Sequence, residues 1–550
     1  MSYRFVACRT KRCPDCYSWL DLAGACRLGH APRLFEGAGR DPTQMRAGKL
    51  IAATGVIWAL SLGLAVHADD GRWWNNLDER LTRVLRQHDF TGRIESTLEY
   101  RLGRRIDDQL ANLGRLLWFD NVHSLHRDNT CAGCHSPTNG FGDTQSIAIG
   151  VDNNRLVGPN RVGPRNQRRS PLIINTAFYP KLMWNGRFFA NAAPGRKLGD
   201  PFSNNFGFTF PAPEANSLGY HDHLLQAQAF IPPTELVEVA GFTGTSGTDL
   251  SPIFEMFDNG KGLPVPLADE SGFRNHPIRT DVLEILNSTP GYRLMFGKIF
   301  HEVRRGAPIT FDMFARAIAE FEFTLTFANA PIDRFARGYE RAMTDAEKRG
   351  ALVFFGEGKC ITCHATKGRS NEMFSDFENH VAGIPQLAPA FGKSNMVYDG
   401  PGADEDFGAM QISGDPSDKY KFRTAPLRNI GLSPAFFHNG AFASLDDAIR
   451  FHLDPSQRYN PEKAGIDKDL RARMGPRIHE SYFHPLFQKG GIDLSESQIR
   501  DVTQFVKTGL LDPRAKKENL CDLIPKAVPS KLNVLTFEAC LSKPGKKDYD

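Results

Sequence analysis

The stretch "NTCAGCHSP", Asn129–Pro137, decides how this chain is read, because it returns as "GKCITCHAT", Gly358–Thr366. In each copy two cysteines are separated by two residues and followed at once by a histidine. That spacing sets the thiols one helical turn apart, so both reach the two vinyl groups of one haem while the histidine is carried beneath the ring to the iron. Cys131 and Cys134, then Cys360 and Cys363, are the expected thioether sites, with His135 and His364 the expected iron ligands. Taken singly, C-x-x-C also serves zinc sites and thioredoxin-like redox pairs. Zinc asks for four ligands close in space, commonly on two such arms without the histidine. Thioredoxin chemistry asks for one motif in a βαβ setting. Two complete copies favour two covalently bound haem c groups.

Attachment of that kind takes place after export, and the sequence supplies a leader. "MRAGKLIAATGVIWALSLGLAVHADD" begins at Met45 with basic Arg46 and Lys49, continues through an apolar core, and offers Val66-His67-Ala68 as a cleavage site. The expectation is a signal peptide over 45–68 and a periplasmic protein. The preceding residues 1–44 carry Cys8, Cys13, Cys16 and Cys26 among arginines. They read as the product of a misplaced start, with a small metal-binding module on Cys13 and Cys16, or an uncleaved membrane anchor, as alternatives.

The remaining length exceeds one domain at roughly 100–200 residues each. A formal net charge of +4, with no basic run interleaved with aromatics, gives no argument for nucleic acid. Beyond the leader and the four haem cysteines only Cys521 and Cys540 remain, a leftover pair that reads as a disulfide in an oxidising compartment.

The halves echo each other beyond the cysteines. "LGRLLWFD" (Leu113–Asp120) and "RGALVFFGEGKC" (Arg349–Cys360) lead in; "RSPLIINTAFYPKLMWNGRF" (Arg169–Phe188) and "RTAPLRNIGLSPAFFHNGAF" (Arg423–Phe442) follow. Internal duplication of a single-haem unit explains this economically. "FDMFARAIAEFEFTL", Phe311–Leu325, puts Phe311, Phe314, Ala315, Ile318, Phe321 and Leu325 on one helical face. The segments 143–168 and 194–217, rich in turn formers, read as loops over haem faces. The expected fold is mostly α: two cytochrome c-like haem domains with long loops. The expected division is a leader (1–68), an N-terminal haem domain (69–332), a C-terminal haem domain (333–515) and a tail (516–550).

From about Leu113 to Leu511 these stretches resemble the bacterial di-haem cytochrome c peroxidases and the MauG enzymes. The Trp-Asn-Gly-Arg and Phe-His-Asn-Gly elements, in that order, carry the likeness further than two haem motifs could. The resemblance implies that the first haem handles peroxide and the second relays electrons. Such peroxidases place a histidine about sixteen residues after the first proximal one, but "GFGDTQSIAIGVDNNR" (Gly140–Arg155) contains none, so the first iron is expected to stand open. The family's pocket glutamate, preceded by a glutamine and a proline, falls on Glu238, with Gln228 and Pro232 at the matching offsets; Glu235 is the rival one turn away. Glu238 is the expected general acid/base and Gln228 a hydrogen-bonding pocket residue.

The second iron's distal ligand falls fourteen residues after His438, at His452, where the family carries methionine or tyrosine; Met396 and Met410 are the fallbacks. Ser444 to Asp447 resembles a capping box, and Leu445, Ala448, Ile449 and His452 then share a face. Trp184 takes the place of the family's tryptophan between the haems. Arg169 stands where the family's calcium-binding asparagine belongs, which disfavours calcium, since an arginine cannot ligate a cation. The implied function is reduction of hydrogen peroxide with electrons from a small cytochrome c or cupredoxin. A MauG-like oxidation of a partner protein or other substrate, and a non-enzymatic di-haem carrier, are the alternatives. A homodimer is compatible with the sequence.

Overall fold

The main helices begin where the sequence supplies caps. In the computed structural model, which describes residues 76–202, 205–211, 214, 221–250, 254–389, 404–488 and 491–541, six helices frame the two haem motifs: α1 (Leu77–Gln87), α2 (Asp108–Phe119), α3 (Phe311–Thr324), α4 (Asp345–Phe355), α5 (Leu445–Leu453) and α6 (Glu496–Gln504). The leader and Met396 lie outside the described residues. The Asp107 carboxylate starts α2 by accepting from the amides of Gln109 (2.9 Å) and Leu110 (3.0 Å). Thr344 with Glu347 and Ser495 with Gln498 form reciprocal capping boxes at α4 and α6.

Each half is then built on one close helix crossing. A Cβ on Gly114 of α2 would fall 1.8 Å from the Ala317 carbonyl of α3, and one on Gly350 of α4 would fall 1.9 Å from the Asp501 carbonyl of α6. Only glycine permits these approaches. Phe321 and Phe505 back the two crossings. Around the first gather Leu113, Leu117, Trp118, Phe141 and Ile318; around the second, Ala351, Phe354, Phe374 and Val502. Burying each large apolar side chain contributes about 1.5–3 kcal/mol, so these clusters are the main stabilising term of each half.

The same detail recurs beyond the helices. Asn175 and Asn429, both left-handed (φ 68° and 61°), start short 3-10 turns. Their amides donate to the carbonyls of Leu325 and Leu510, each at 3.0 Å, and both side chains donate to the single carbonyl of Phe327 (3.0 and 2.9 Å). The fold is mainly helical. The described strands are only two or three residues long: Lys181–Leu182, Phe188–Ala190 and Phe208–Thr209 run antiparallel, Asn379–His380 pairs antiparallel with Phe422–Arg423, and Leu156–Val157 pairs parallel with Thr536–Phe537.

The ends of the chain cross over. Leu81 and Leu85 of α1, with Phe90, join the core around α4, and the Glu372 carboxylate accepts from the amides of Thr91 (2.7 Å) and Gly92 (3.1 Å). Residues 81–92 of the N-terminal segment thus pack on the C-terminal half. Conversely the tail pairs its strand with Leu156–Val157, donates from the Ser530 hydroxyl to Asp120 (2.6 Å), and closes on a Cys521–Cys540 disulfide. Where the halves meet, Arg428 grips Asp333 through two bonds of 2.7 and 2.8 Å, both side chains fully buried.

Candidate functional site

The first motif is a single helical turn, Cys131–Cys134, closed by the His135 amide on the Cys131 carbonyl (2.8 Å) and tied to the end of α2 by the Thr130 hydroxyl on the Trp118 carbonyl (2.7 Å). His135 Nδ1 faces two carbonyls, Phe141 (3.2 Å) and Pro171 (3.0 Å), so it carries the proton and donates, leaving Nε2 as the metal-binding nitrogen. His364 repeats this with Nδ1 on the Phe374 carbonyl (3.0 Å). Burial lowers the His135 pKa to about 4, keeping the imidazole neutral as a ligand must be.

The four motif cysteines form no disulfide. Burial pushes the Cys134 thiol up to about 11 and the Cys360 thiol up to about 12, and raises Cys131 further. Thiols held in the neutral form make poor nucleophiles, while an uncharged thioether suits buried surroundings. Among the described residues the one cluster with metal-ligand spacing is Cys363, Asp376 and His380, one ligand short of a structural zinc site and sharing a haem-motif cysteine.

Glu238 lies 109 positions from Asn129 yet is tied to the first motif through it. The Asn129 amide donates to the Glu238 carbonyl (2.6 Å) and lies 3.6 Å from Cys134 Sγ, while its oxygen accepts from Arg161 (2.7 Å). Arg161 also binds the carbonyls of Ile149 (2.9 Å), Gly150 (3.0 Å) and Leu156 (2.6 Å), shaping the loop that lacks a histidine. At the sixteenth position stands Val151, fully buried, its amide bonded to the Val237 carbonyl (3.2 Å). Asn129 and Arg161 escaped the sequence reading; an asparagine two before the first cysteine was the only local signal.

Glu238 itself sits in a π-helical turn, Leu236–Ala240, a wide backbone form common at functional sites. Its pKa rises to about 7, first because burial disfavours the carboxylate and second because Glu235 is a like charge nearby; Arg187 opposes both. It is therefore poised to exchange a proton near neutrality. Gln228 ends the helix Leu224–Gln228, one 3-10 turn (Pro232–Thr234) before Glu235. Among the described residues no hydrogen bond joins it to Glu238.

The second motif opens on a cavity lined by Cys360, Cys363, His364, Leu445, Ala448, Ile449 and His452. Ser444 caps α5 by accepting from the Asp447 amide (3.3 Å), which turns the Leu445–Ala448–Ile449–His452 face into the cavity. The His364 and His452 rings are 6.2 Å apart between centroids, room for one metal with two nitrogen bonds of about 2 Å. His452 Nδ1 is buried with no partner, the ring rests on Phe437 (5.7 Å) and Phe487 (4.9 Å), and burial lowers its pKa to about 3. These residues fit a haem. Met410 packs instead beside Phe407 and Tyr420, away from this cavity's lining.

Trp184 lines the same cavity; its Nε1 donates to the Arg169 carbonyl (2.8 Å) and its carbonyl accepts from the Arg423 amide (2.7 Å). Two residues past Arg169, the Pro171 carbonyl holds His135. The Arg169 guanidinium donates to Ser433 Oγ (3.0 Å), which donates onward to the Ala435 carbonyl (2.8 Å). A cation already occupies that oxygen set, so it does not fit calcium.

Residues 108–341 match the family model described as di-haem cytochrome c peroxidase. The chain is 24% identical to the cytochrome-c peroxidase IdrP2 of Denitromonas iodatirespirans, covering 67% of this chain and 83% of that protein. It is 25% identical to the cytochrome c551 peroxidase of Pseudomonas aeruginosa, covering 64% and 74%. With the methylamine utilization protein MauG of Paracoccus denitrificans it shares 27% identity over 74% of this chain and 89% of that one.

Proposed function

The chain belongs to the di-haem cytochrome c peroxidase and MauG family and is a peroxidase-type oxidoreductase, and from that premise we propose a periplasmic enzyme that reduces hydrogen peroxide to water. Cys131 and Cys134 hold one haem c and Cys360 and Cys363 the other. His135 would hold the iron of the first, and His364 and His452 that of the second. The recurring helix crossing, asparagine turn and histidine bond support an internal duplication of one haem unit.

The observation that carries this reading is Glu238: a carboxyl with its pKa raised to about 7, tethered through Asn129 to the attachment turn of a haem whose sixteenth following residue is valine. Bound haem supplies an iron at which peroxide can bind and be reduced. Glu238, as carboxylate, would accept the proton of one peroxide oxygen and deliver it to the other as the oxygen–oxygen bond breaks, releasing one water; two electrons from the donor and two protons then release the second oxygen as water. Gln228, its amide unengaged by Glu238, orients the incoming peroxide by hydrogen bonding. Trp184 lies between the second cavity and the segment that holds His135, and so serves as the stepping point for electrons. A small cytochrome c or cupredoxin is the proposed donor, in keeping with the relative named a cytochrome c551 peroxidase. The leader at 45–68 supports the location, and among the described residues no helix is long and apolar enough to cross a membrane.

One observation favours a MauG-like second reading. The second cavity offers a histidine pair rather than histidine and methionine, and a missing thioether lowers the potential of that iron. A carrier with both irons sealed is disfavoured by the histidine-free segment at Gly140–Arg155.

The deciding experiment mixes the fully oxidised protein with one equivalent of hydrogen peroxide, without reductant, and follows the haem absorption by stopped flow. The expected result is rapid loss of the ferric spectrum. No change until one haem is reduced would overturn the open first iron. Decay accelerated by a reduced cytochrome supports the peroxidase; a long-lived oxidised species indifferent to such donors supports the MauG-like reading.

A further inference from the structure

The wall of the second cavity beside Trp184 contains three buried arginines, Arg169, Arg423 and Arg428, each 3–4% exposed. Burying a guanidinium without an anion is costly, so each one requires an account. Arg428 has one in its paired bonds to Asp333 (2.7 and 2.8 Å). The other two do not. Arg169 donates from Nη2 to the neutral hydroxyl of Ser433 (3.0 Å), and its Nη1 is buried with no partner. Arg423 donates from Nε to the Met183 carbonyl (2.9 Å) and from Nη1 to the Thr424 carbonyl (3.3 Å). Asp143 and Asp467 act on Arg169, and Asp376 on Arg423, but among the described residues no carboxylate comes within 4.0 Å of either guanidinium. Two cations therefore face a cavity that supplies no anion to meet them.

Haem brings two anions, its propionate carboxylates. Arg169 and Arg423 also flank one residue: the Arg169 carbonyl accepts from the Trp184 indole (2.8 Å) and the Arg423 amide donates to the Trp184 carbonyl (2.7 Å). We propose that Arg169 and Arg423 bind the two propionates of the haem attached at Cys360 and Cys363, turning the propionate edge of that haem toward Trp184. The arrangement rests on the reading that a haem occupies this cavity. It puts the charge of the protein beside the cofactor at the edge from which electrons cross to the other half, so Arg169 and Arg423 act as positioning residues and set the potential of the second iron. A guanidinium is suited to the task because its planar donors match a carboxylate through two parallel bonds.

The test uses the full chain with both haems attached, as wild type and as Arg169→Gln, Arg169→Lys and Arg423→Gln. Haem content is counted by mass, and the potential of the second haem is titrated against pH by spectroelectrochemistry. Loss of a cation beside the propionates destabilises the electron-rich reduced state and lets the unpaired propionate take up a proton. The expected result in Arg169→Gln is a lower potential at pH 8 and a potential that varies with pH more steeply than in wild type, with Arg169→Lys restoring part of both. Should Arg423→Gln fail to accumulate, having lost its carbonyl bonds as well, the two Arg169 variants decide. Wild-type titrations in Arg169→Gln, in an active protein carrying two haems, would overturn this proposal alone. A chain with no haem at Cys360 and Cys363 would overturn it together with the functional reading.

Discussion

At the scale of single residues, Glu238 is the carboxyl whose acidity matters, raised to about 7 by burial and by the like charge of Glu235. General acid–base catalysis is worth about 10²–10⁴-fold, so Glu238→Gln should lower kcat/KM for peroxide by that factor with both haem spectra intact. The step needs the carboxylate form first, so wild-type kcat/KM should rise with pH through about 7. Since the Glu235 charge is one cause of the raised value, Glu235→Gln should move that inflection to lower pH while preserving most of the rate; an unmoved profile would separate Glu238 from the chemistry. His452 makes a second prediction. Replacing imidazole by thioether favours ferrous iron, so His452→Met should raise the potential of the second haem and leave the first unchanged, checked by redox titration of the holo-protein.

Elements are where the two halves are most alike, and glycine explains why. Gly350 lets α4 touch α6, and its missing side chain leaves 1.9 Å between a would-be Cβ and the Asp501 carbonyl. That neighbour is backbone and cannot swing aside. Gly350→Ala should force the helices apart at a cost of about 3 kcal/mol, the upper part of the usual range for overpacking, visible as a lower denaturation midpoint of the holo-protein. Gly297 is the milder case, as its Cβ would come no nearer than 3.3 Å to the Arg304 backbone, and Gly297→Ala should cost clearly less than Gly350→Ala. The caps at Asp107, Thr344, Ser444 and Ser495 are legible in the sequence, because an N-cap needs only residues within one turn. The glycine crossings are not legible, since nothing near Gly114 or Gly350 in sequence names Ala317 or Asp501 as the helix it will meet.

For the whole molecule, legibility follows sequence distance. The two C-x-x-C-H turns read directly, and counting from His438 reaches a histidine on the cavity lining facing His364, because α5 is a short regular helix fixed by its own cap. The ties between distant parts of the chain span from 109 to 410 positions: Asn129 to Glu238, Arg169 to Ser433, Thr91 to Glu372, Ser530 to Asp120. No periodicity marks them, because each depends on where a distant segment comes to rest. Trp184 adjoins one of them, at Arg169. Its indole hangs on the Arg169 carbonyl, and the backbone from Arg169 to Pro171 ends in the bond to His135 (3.0 Å), so one short segment joins the wall of the second cavity to the histidine of the first motif. An electron crossing between the halves has two routes: the indole itself, or the hydrogen-bonded backbone that it touches. Trp184→Phe keeps an aromatic ring of similar reach but is harder to oxidise and gives up the bond to Arg169. If the indole carries charge, flash-induced redistribution between the haems should slow several-fold while both resting spectra and both potentials stay as in wild type. An unchanged rate would assign the crossing to the backbone path through Pro171 and His135, and Trp184 would then be a packing residue.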